Sequence, residues 1–330
     1  MTGFFHREPG QVTVMMIPPQ RPADDPRNAP VYLRKTLLAH GHCDRTIRQL
    51  VADGILVRLR PGAYCDKRNH DSLDAAGRHG LKARAVYQQA RTDVVLSHVS
   101  GAPEYDAPTW GLDLTDVHVT RPDEKAGRHE AGVHQHSGKL RAGDIVDRHG
   151  MKVMAPTRLA LEVTTVASAE AGLVVVNHFL HTAMTTKDEL LDRYAVMENW
   201  PNTLRTGLVL HRADARIETV GESRTWHLML TAGLPPPIPQ YAIRDERGNV
   251  IHRVDFAWPE LGVFLEFDGM VKYEKYLKPG QRASDVVIAE KKRERRICDL
   301  TGWRCIRLDW SDLGRPALTA ALIRAELFPV

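Results

Sequence analysis

Several features are scarce in this sequence, and each scarcity narrows its class. Among 330 residues there are only four cysteines, Cys43, Cys65, Cys298 and Cys305, with no CxxC spacing. That pattern excludes a disulfide framework and suits a reducing cytoplasm. No apolar run approaches the ~18 residues of a membrane span; the most apolar stretch, Gly172 to Val176, is far too short. The first thirty residues carry charges and prolines without an uninterrupted apolar stretch, so no secretory signal is expected. Aromatic residues make up 6% of the chain, and charge of neither sign dominates: 45 basic side chains face 41 acidic ones, a net +4. So mild an excess does not establish nucleic-acid binding unless it is concentrated where phosphate could be touched. What is present is a hydrophobic fraction of 43%, enough to rule out a wholly disordered chain. The length suggests two or three domains at roughly 100–200 residues each.

Residues 1–30 hold six prolines and read as a disordered lead-in. From Val31 the pattern changes. A short helical stretch spans Tyr32 to Ala39, Gly41 breaks it, and a second helix runs from a cap at Asp44 to Asp53, with Gly54 as its C-terminal stop. Ile55 to Leu59 reads as a strand, Arg60-Pro61-Gly62 as a turn and Ala63 to Cys65 as the returning strand. This is the outline of a winged helix-turn-helix. Between residues 31 and 68, eight basic side chains face three acidic ones, a surplus larger than that of the whole chain. With Ile47, Leu50 and Val51 turned inward, Arg45, Arg48 and Gln49 are left to reach base edges and phosphates in a major groove. Arg58 and Arg60 of the hairpin are placed for the DNA backbone. The bland alternative is a small module that packs against its neighbour.

Residues 71–205 suggest a helix at Leu81 to Ala90, strands at Asp93 to Leu96 and Asp116 to Thr120, and helices at Thr157 to Val166 and Ala169 to Thr182. Histidine is dense here (His118, His129, His134, His136 and His149), but the spacing fits no ligand pattern and no carboxylate or cysteine completes a set. Solvated loop and strand histidines are expected, in an α+β spacer or regulatory unit.

From about Arg212 the order is helix, three-strand meander, helix, strand, helix, an α/β sandwich. An amphipathic helix over Ile217 to Ala232 contains Glu222 and stops at Gly233 and Pro235-Pro236-Pro237. Strands are expected at Gln240 to Arg244, Val250 to Trp258, Val263 to Asp268 and Trp303 to Trp310. A charged helix at Ala289 to Thr301 should bury Ile288, Ile297 and Leu300, and a last helix follows Ser311. Asp255 interrupts the apolar series Val254, Phe256, Trp258, and Glu266 and Asp268 share one strand face. Three carboxylates at adjacent strand ends repel one another unless a cation sits among them. Hard oxygen donors favour magnesium, with manganese as the alternative, and phosphodiester cleavage uses such a centre. Lys272 could place an ammonium near the attacked phosphate, and Arg293 and Arg296 could clamp it. The bland alternative leaves Asp255 beside a turn and Glu266 and Asp268 facing solvent.

The stretches GESRTWHLMLTAGLPPPIPQ, HRVDFAWPELGVFLEFDGMVKY and AEKKRERRICDLTGWRCIRLDWSDL resemble a C-terminal domain common in actinobacterial proteins. That domain is related to very-short-patch-repair (Vsr) endonucleases of the PD-(D/E)XK superfamily. RLRPGAY, VLSHVSGAPEY, VHVTRP and MAPTRLALEV resemble AbiEi-type antitoxins and transcriptional regulators of type IV toxin–antitoxin systems. The resemblance implies an α/β (overall α+β) chain with four parts: lead-in 1–30, winged helix-turn-helix 31–70, AbiEi-like middle domain 71–205, and restriction-endonuclease-like α/β sandwich 212–330. It places Glu222 at the helix carboxylate, Asp255 at the first strand position and Glu266 at the acidic position of the (D/E)XK pair. Asp268 stands where lysine is usual, and Lys272 supplies the displaced charge. No ligand spacing equivalent to the structural zinc of Vsr enzymes is found. The function implied is that of a cytoplasmic, magnesium-dependent DNA endonuclease or nickase acting on double-stranded DNA, with Asp255, Glu266 and Asp268 on the metal. The alternative is a non-catalytic antitoxin or repressor paired with a nucleotidyltransferase toxin.

Overall fold

The computed structural model describes residues 20–197, 200–245, 247–269 and 283–329, with backbone alone for 283–290. Residues 20–30, expected within the disordered lead-in, are instead held in place. Arg21 is buried and ion-pairs Glu104 at 3.2 Å, and Asp25 caps a single 3-10 turn at Pro26–Asn28. His149 shares the same carboxylate at 2.6 Å, so one buried acid collects two basic partners.

The chain then forms β1 (Tyr32–Leu33), α1 (Arg34–Ala39), α2 (Asp44–Ala52), β2 (Leu56–Arg60), β3 (Ala63–Asp66) and α3 (Lys67–Asp71). The three strands pair antiparallel in the order β1-β3-β2. Gly54 makes the left-handed turn between α2 and β2, at φ +69°. Asp44 is not the cap of α2: Cys43 holds that position, its N–H donating to Thr46 Oγ1 at 2.8 Å. Asp44 ion-pairs Arg34 at 2.6 Å instead. Ile47 packs with Leu37 and Leu56, with Leu50 and Val51 at the margin.

Next come α4 (Ala75–Gln89), β4 (Val95–Leu96), α5 (His98–Gly101), β5 (Val117–Arg121), β6 (His129–Glu130), β7 (Val133–Ser137), β8 (Ile145–Arg148) and β9 (Met151–Met154). The helices α6 (Pro156–Val166), α7 (Ala169–His181), α8 (Lys187–Tyr194) and α9 (Thr203–Arg212) follow. Six strands form a mixed sheet in the order β6-β7-β5-β4-β9-β8, with β5–β7 and β4–β9 parallel.

The last part contains α10 (Val220–Thr231), β10 (Ile238–Arg244), β11 (Val250–Trp258), β12 (Val263–Phe267), α11 (Ala283–Thr301), β13 (Arg304–Leu308), α12 (Trp310–Leu313) and α13 (Pro316–Leu327). The sheet order is β10-β11-β12-β13: an antiparallel meander, then β13 parallel to β12 after the α11 crossover. The strand expected to reach Trp310 stops at Leu308, because Asp309 accepts from the N–H groups of Ser311 and Asp312 and starts α12. Helix α10 was expected to be amphipathic, but Gly221, Glu222, Ser223, Thr225, Trp226, Leu228 and Met229 are all buried. It lies between α7 and the four-stranded sheet, within one apolar core that runs from the six-stranded sheet to Phe256, Leu265 and Ile306. The opposite face of the small sheet buries Ile243, Val254, Phe264 and Ile297. Leu300, expected to be buried beside Ile297, is 55% exposed. Among the described residues no helix is long and apolar enough to cross a membrane.

His79 is buried in α4 between Leu114 O, 2.9 Å from Nδ1, and Ser100 Oγ, 2.8 Å from Nε2. Burial pulls its imidazole down to about 4. The unfolded chain therefore takes up this proton first as pH falls, so stability is retained above about pH 6.5 and lost progressively toward pH 4. The loss attributable to this group is on the order of 3 kcal/mol at its fullest. The difference in unfolding free energy between the wild-type protein and a His79→Gln variant, measured by denaturant titration, should shrink across that window. A difference independent of pH would refute the assignment.

Candidate functional site

Four of the carboxylates expected to act together do line one cavity, of about 360 Å³: Glu222 from α10, Asp255 from β11, Glu266 from β12 and Asp268 just beyond it. Arg293 of α11 lines it as well, whereas Arg296 is exposed and not among its lining residues. Lys272 lies outside the described residues. Antiparallel pairing aligns Phe256 with Leu265, which brings the neighbouring Asp255 and Glu266 toward one end of the strand pair. Gly262, at φ +60°, makes the turn that sets this register.

Each acid has a distinct environment. Asp255 Oδ2 accepts the N–H of Phe267 at 2.8 Å and ties the two strands together. Glu222 is buried, 5% exposed, and accepts from Thr219 Oγ1 at 2.7 Å, Glu218 N at 3.1 Å and Gln240 Nε2 at 2.7 Å. The return bond from Glu222 N to Thr219 Oγ1 makes it a helix-start brace as well as a wall of the cavity. Glu266 receives Arg293 at 2.5 Å, and Arg307 of β13 lies 3.9 Å from its second oxygen. Asp268 is 3.7 Å from Arg307.

Arg307 and Gln240 escaped the sequence reading. Arg307 faces Glu266 because the parallel pairing of β12 and β13 aligns the two residues, a register that alternation within either strand does not reveal. Gln240 follows the proline run and reaches Glu222 from a left-handed backbone, φ +52°. The carboxylates were expected to need a metal cation for charge balance. In the described structure guanidinium groups provide it at Glu266. The carboxylate oxygens are hard donors lining one cavity, but among the described residues no three of them lie within 4.8 Å of one another.

On α2, Arg45, Arg48 and Gln49 are exposed, as is Arg58 on β2. Gln49 is held by Asp53 at 2.7 Å. Arg60 does not join them: it is half-buried and turns toward Ala131 O, 3.5 Å away.

The histidines differ most from expectation. His118 on β5 and His136 on β7 are partly buried, with Nδ1 of the first 2.9 Å from Nε2 of the second. His98, buried at the start of α5, stacks on His136 with ring centres 3.7 Å apart. His134 stacks on the other side at 4.1 Å, and only His129 is exposed within this column. Burial, followed by the neighbouring imidazoles, pushes the imidazole of His98 well below its usual range. The same causes bring His118 to about 4 and His136 to about 3. His149 belongs to the Glu104 cluster described above. Four of the five histidines singled out in the sequence lie on strands as expected, but of the five only His129 is solvated.

No family model matches the chain. It is 25% identical over 279 residues to two Mycobacterium tuberculosis proteins, the uncharacterized protein MT2308 of strain CDC 1551 and the uncharacterized protein Rv2248 of strain H37Rv. In each case the match spans 84% of this chain and 94% of the relative. Among solved structures, the Rv2827c protein of M. tuberculosis aligns with a TM-score of 0.35 and 14% identity, over 65% of this chain and 83% of that one.

Gly221 controls how closely α10 approaches β12. A Cβ there would lie 2.0 Å from Cε1 of Phe267, whose ring is packed edge-on against Trp310. Gly221→Ala should therefore destabilise the fold by about 1–3 kcal/mol through overpacking. Adding Phe267→Leu should recover part of that loss in a double-mutant cycle followed by thermal unfolding. Additive effects of the two substitutions would contradict the close contact.

Proposed function

We propose that the chain binds double-stranded DNA and cleaves its phosphodiesters at the carboxylate cavity, as a magnesium-dependent endonuclease or nickase. The observation that carries this reading is the convergence of Asp255, Glu266, Asp268, Arg293 and Arg307 on one concave site, around an antiparallel strand pair extended by a parallel strand. That arrangement is compatible with a PD-(D/E)XK sandwich over residues 212–330. The N-terminal helix pair and hairpin are compatible with a winged helix over 31–70, preceding an AbiEi-like unit at 71–205.

In this reading Asp255, Glu266 and Asp268 hold the magnesium ion, with manganese as the alternative. The bound ion would polarise a phosphoryl oxygen and lower the pKa of an attacking water. Arg293 and Arg307 turn from their carboxylate partners to the scissile phosphate, for which a planar guanidinium offers two parallel donors. Glu222 braces the start of α10 and shapes the cavity wall. Lys272, in the segment between β12 and α11, remains the proposed source of a further positive charge. Arg45, Arg48 and Arg58 supply the contacts to duplex DNA, with Gln49 at base edges.

One observation favours a second reading, a non-catalytic antitoxin or repressor that partners a nucleotidyltransferase toxin. Glu266 is already neutralised by Arg293 and flanked by Arg307, and Asp268 occupies the position where the superfamily's lysine is expected. Such a pocket could be retained for packing alone.

The two readings separate in a supercoiled-plasmid assay with magnesium or manganese. For a nuclease, Asp255→Asn and Glu266→Gln should reduce nicking by about 100-fold or more while leaving DNA binding intact. Equal nicking by wild type and variants, or none with either metal, rejects the catalytic assignment. In gel-shift or anisotropy titrations across salt concentrations, Arg48→Ala should weaken DNA binding and lower the salt-dependence slope by about 1. An unchanged slope would remove α2 from the interface.

A further inference from the structure

We infer that His98, His118 and His136 form a second metal site, separate from the carboxylate cavity, that takes a divalent transition ion of the zinc class. Among the described residues, theirs is the only group of three or more His, Cys, Asp or Glu ligand atoms lying within 4.8 Å of one another. Three imidazoles select zinc, cobalt, nickel or copper over magnesium, because nitrogen is a softer donor than carboxylate oxygen. Zinc–nitrogen bonds of ~2.0–2.1 Å in a tetrahedral site place neighbouring nitrogens roughly 3.4 Å apart. Closing on an ion therefore requires the 2.9 Å His118–His136 pair to open slightly and the His98 ring to turn out of its stack on His136, with all three ligand atoms already within 4.8 Å of one another.

The surroundings suit that role. His98 Nδ1 is 3.0 Å from Ser97 Oγ and 3.7 Å from the buried Glu162 carboxylate, which also accepts the His98 backbone N–H at 3.2 Å. That leaves Nε2 of His98 as the ligating atom, with a carboxylate behind the ring of the kind that fixes tautomer and orientation at histidine metal centres. Arg158 holds Glu162 in place at 2.7 Å. His98 adopts a left-handed backbone, φ +49°, a costly conformation for a non-glycine residue, and its ring lies against that of His136. His98 and His136 line a cavity of about 550 Å³, while His118 is not among its lining residues, and that cavity would leave a fourth coordination position open. Thr120 lines the same cavity, is aligned with His136 across the parallel strands, and has a buried hydroxyl without a hydrogen-bond partner among the described residues. A water or anion on the ion would provide that partner. The pattern of three protein ligands and one open position is that of a reactive rather than a purely structural zinc site.

Full-length protein stripped with a chelator and titrated with cobalt(II) tests the assignment. One equivalent should bind, with the intense visible absorption of a four-coordinate nitrogen-rich site. His136→Ala and His118→Gln should each abolish that band, and Glu162→Gln should weaken binding by about 10–100-fold. Asp255→Asn/Glu266→Gln and the exposed His129→Gln should keep the band, which separates this site from the nuclease reading. Circular dichroism confirms that each variant is folded. If His136→Ala does not fold, His118→Gln together with the zinc-induced rise in melting temperature of the wild type decides the matter. Absence of the band in the wild type, or its persistence in both triad variants, overturns the site.

Discussion

Everything in the C-terminal half depends on burying α10 from two sides at once. Its inner residues Trp226, Leu228 and Met229 join the core shared with the small sheet, where Trp226 stacks parallel to Phe256 with ring centres 6.1 Å apart. Its other side meets α7, where Asn177 donates to Ser223 Oγ at 3.2 Å and accepts Asp214 N at 3.0 Å. A helix squeezed in this way pairs most of its polar atoms, since each buried orphan costs about 1–3 kcal/mol; His227 Nδ1 is the buried exception among its described side chains. Arg224 accordingly bonds Glu170 and Leu313 O and lies over Trp110. Thr225 returns its hydroxyl to Gly221 O. Once these bonds are fixed, the first turn of α10 has one place to go, and Glu222 arrives at the cavity as a consequence of packing.

The same logic governs the charges within the cavity. A carboxylate as deeply placed as Glu266, with its side chain 8% exposed, is costly without compensation. Arg293 and Arg307 supply it, and Arg307 is itself shared with Glu294 at 2.5 Å. In the proposed reading, a phosphate or a divalent ion entering such a shared set would replace one ionic contact with another, without stranding a buried charge. A carboxylate surrounded only by apolar atoms could not make that exchange. The guanidinium groups therefore do not oppose the proposed nucleolytic role; they give Glu266 and Asp268 ionic partners within the cavity.

Local chemistry made much of the fold legible in the sequence. Alternation and turn residues located β11 to within its observed ends, and α6 and α7 fell within a residue of their expected limits, with Pro156 at the first position of α6 and the Ser168 side chain capping α7. The acidic residues of the cavity were legible for the same reason: polar side chains interrupting apolar strands are expensive and stand out. What stayed hidden was non-local. Nothing in the spacing of His98, His118 and His136 shows that β5 and β7 run side by side in parallel, or that α5 carries His98 back over them. Parallel register likewise concealed the pairing of Arg307 with Glu266. Leu300 misled because α11 meets the face of the small sheet along only a narrow stripe, and Ile297 fills it.

The basic N-terminal segment shows why a charge surplus has to be resolved into individual side chains. Arg34 is engaged by Asp44 and Arg60 is turned toward the carbonyl of Ala131. The tip of the hairpin is itself held down, with Gln89 donating to Pro61 O at 2.9 Å and Arg34 N donating to Gly62 O at 2.8 Å. The hairpin is tied down at its turn, and the exposed part of the surplus includes Lys35, Arg45, Arg48, Arg58 and Arg68. Long cationic side chains in water lose little by exchanging solvent and counterions for phosphate, whereas a half-buried arginine must first give up its protein contacts. If the segment contacts DNA, the exposed face of α2 and Arg58 of the hairpin are the parts free to do so, while Arg34 and Arg60 stay engaged within the protein.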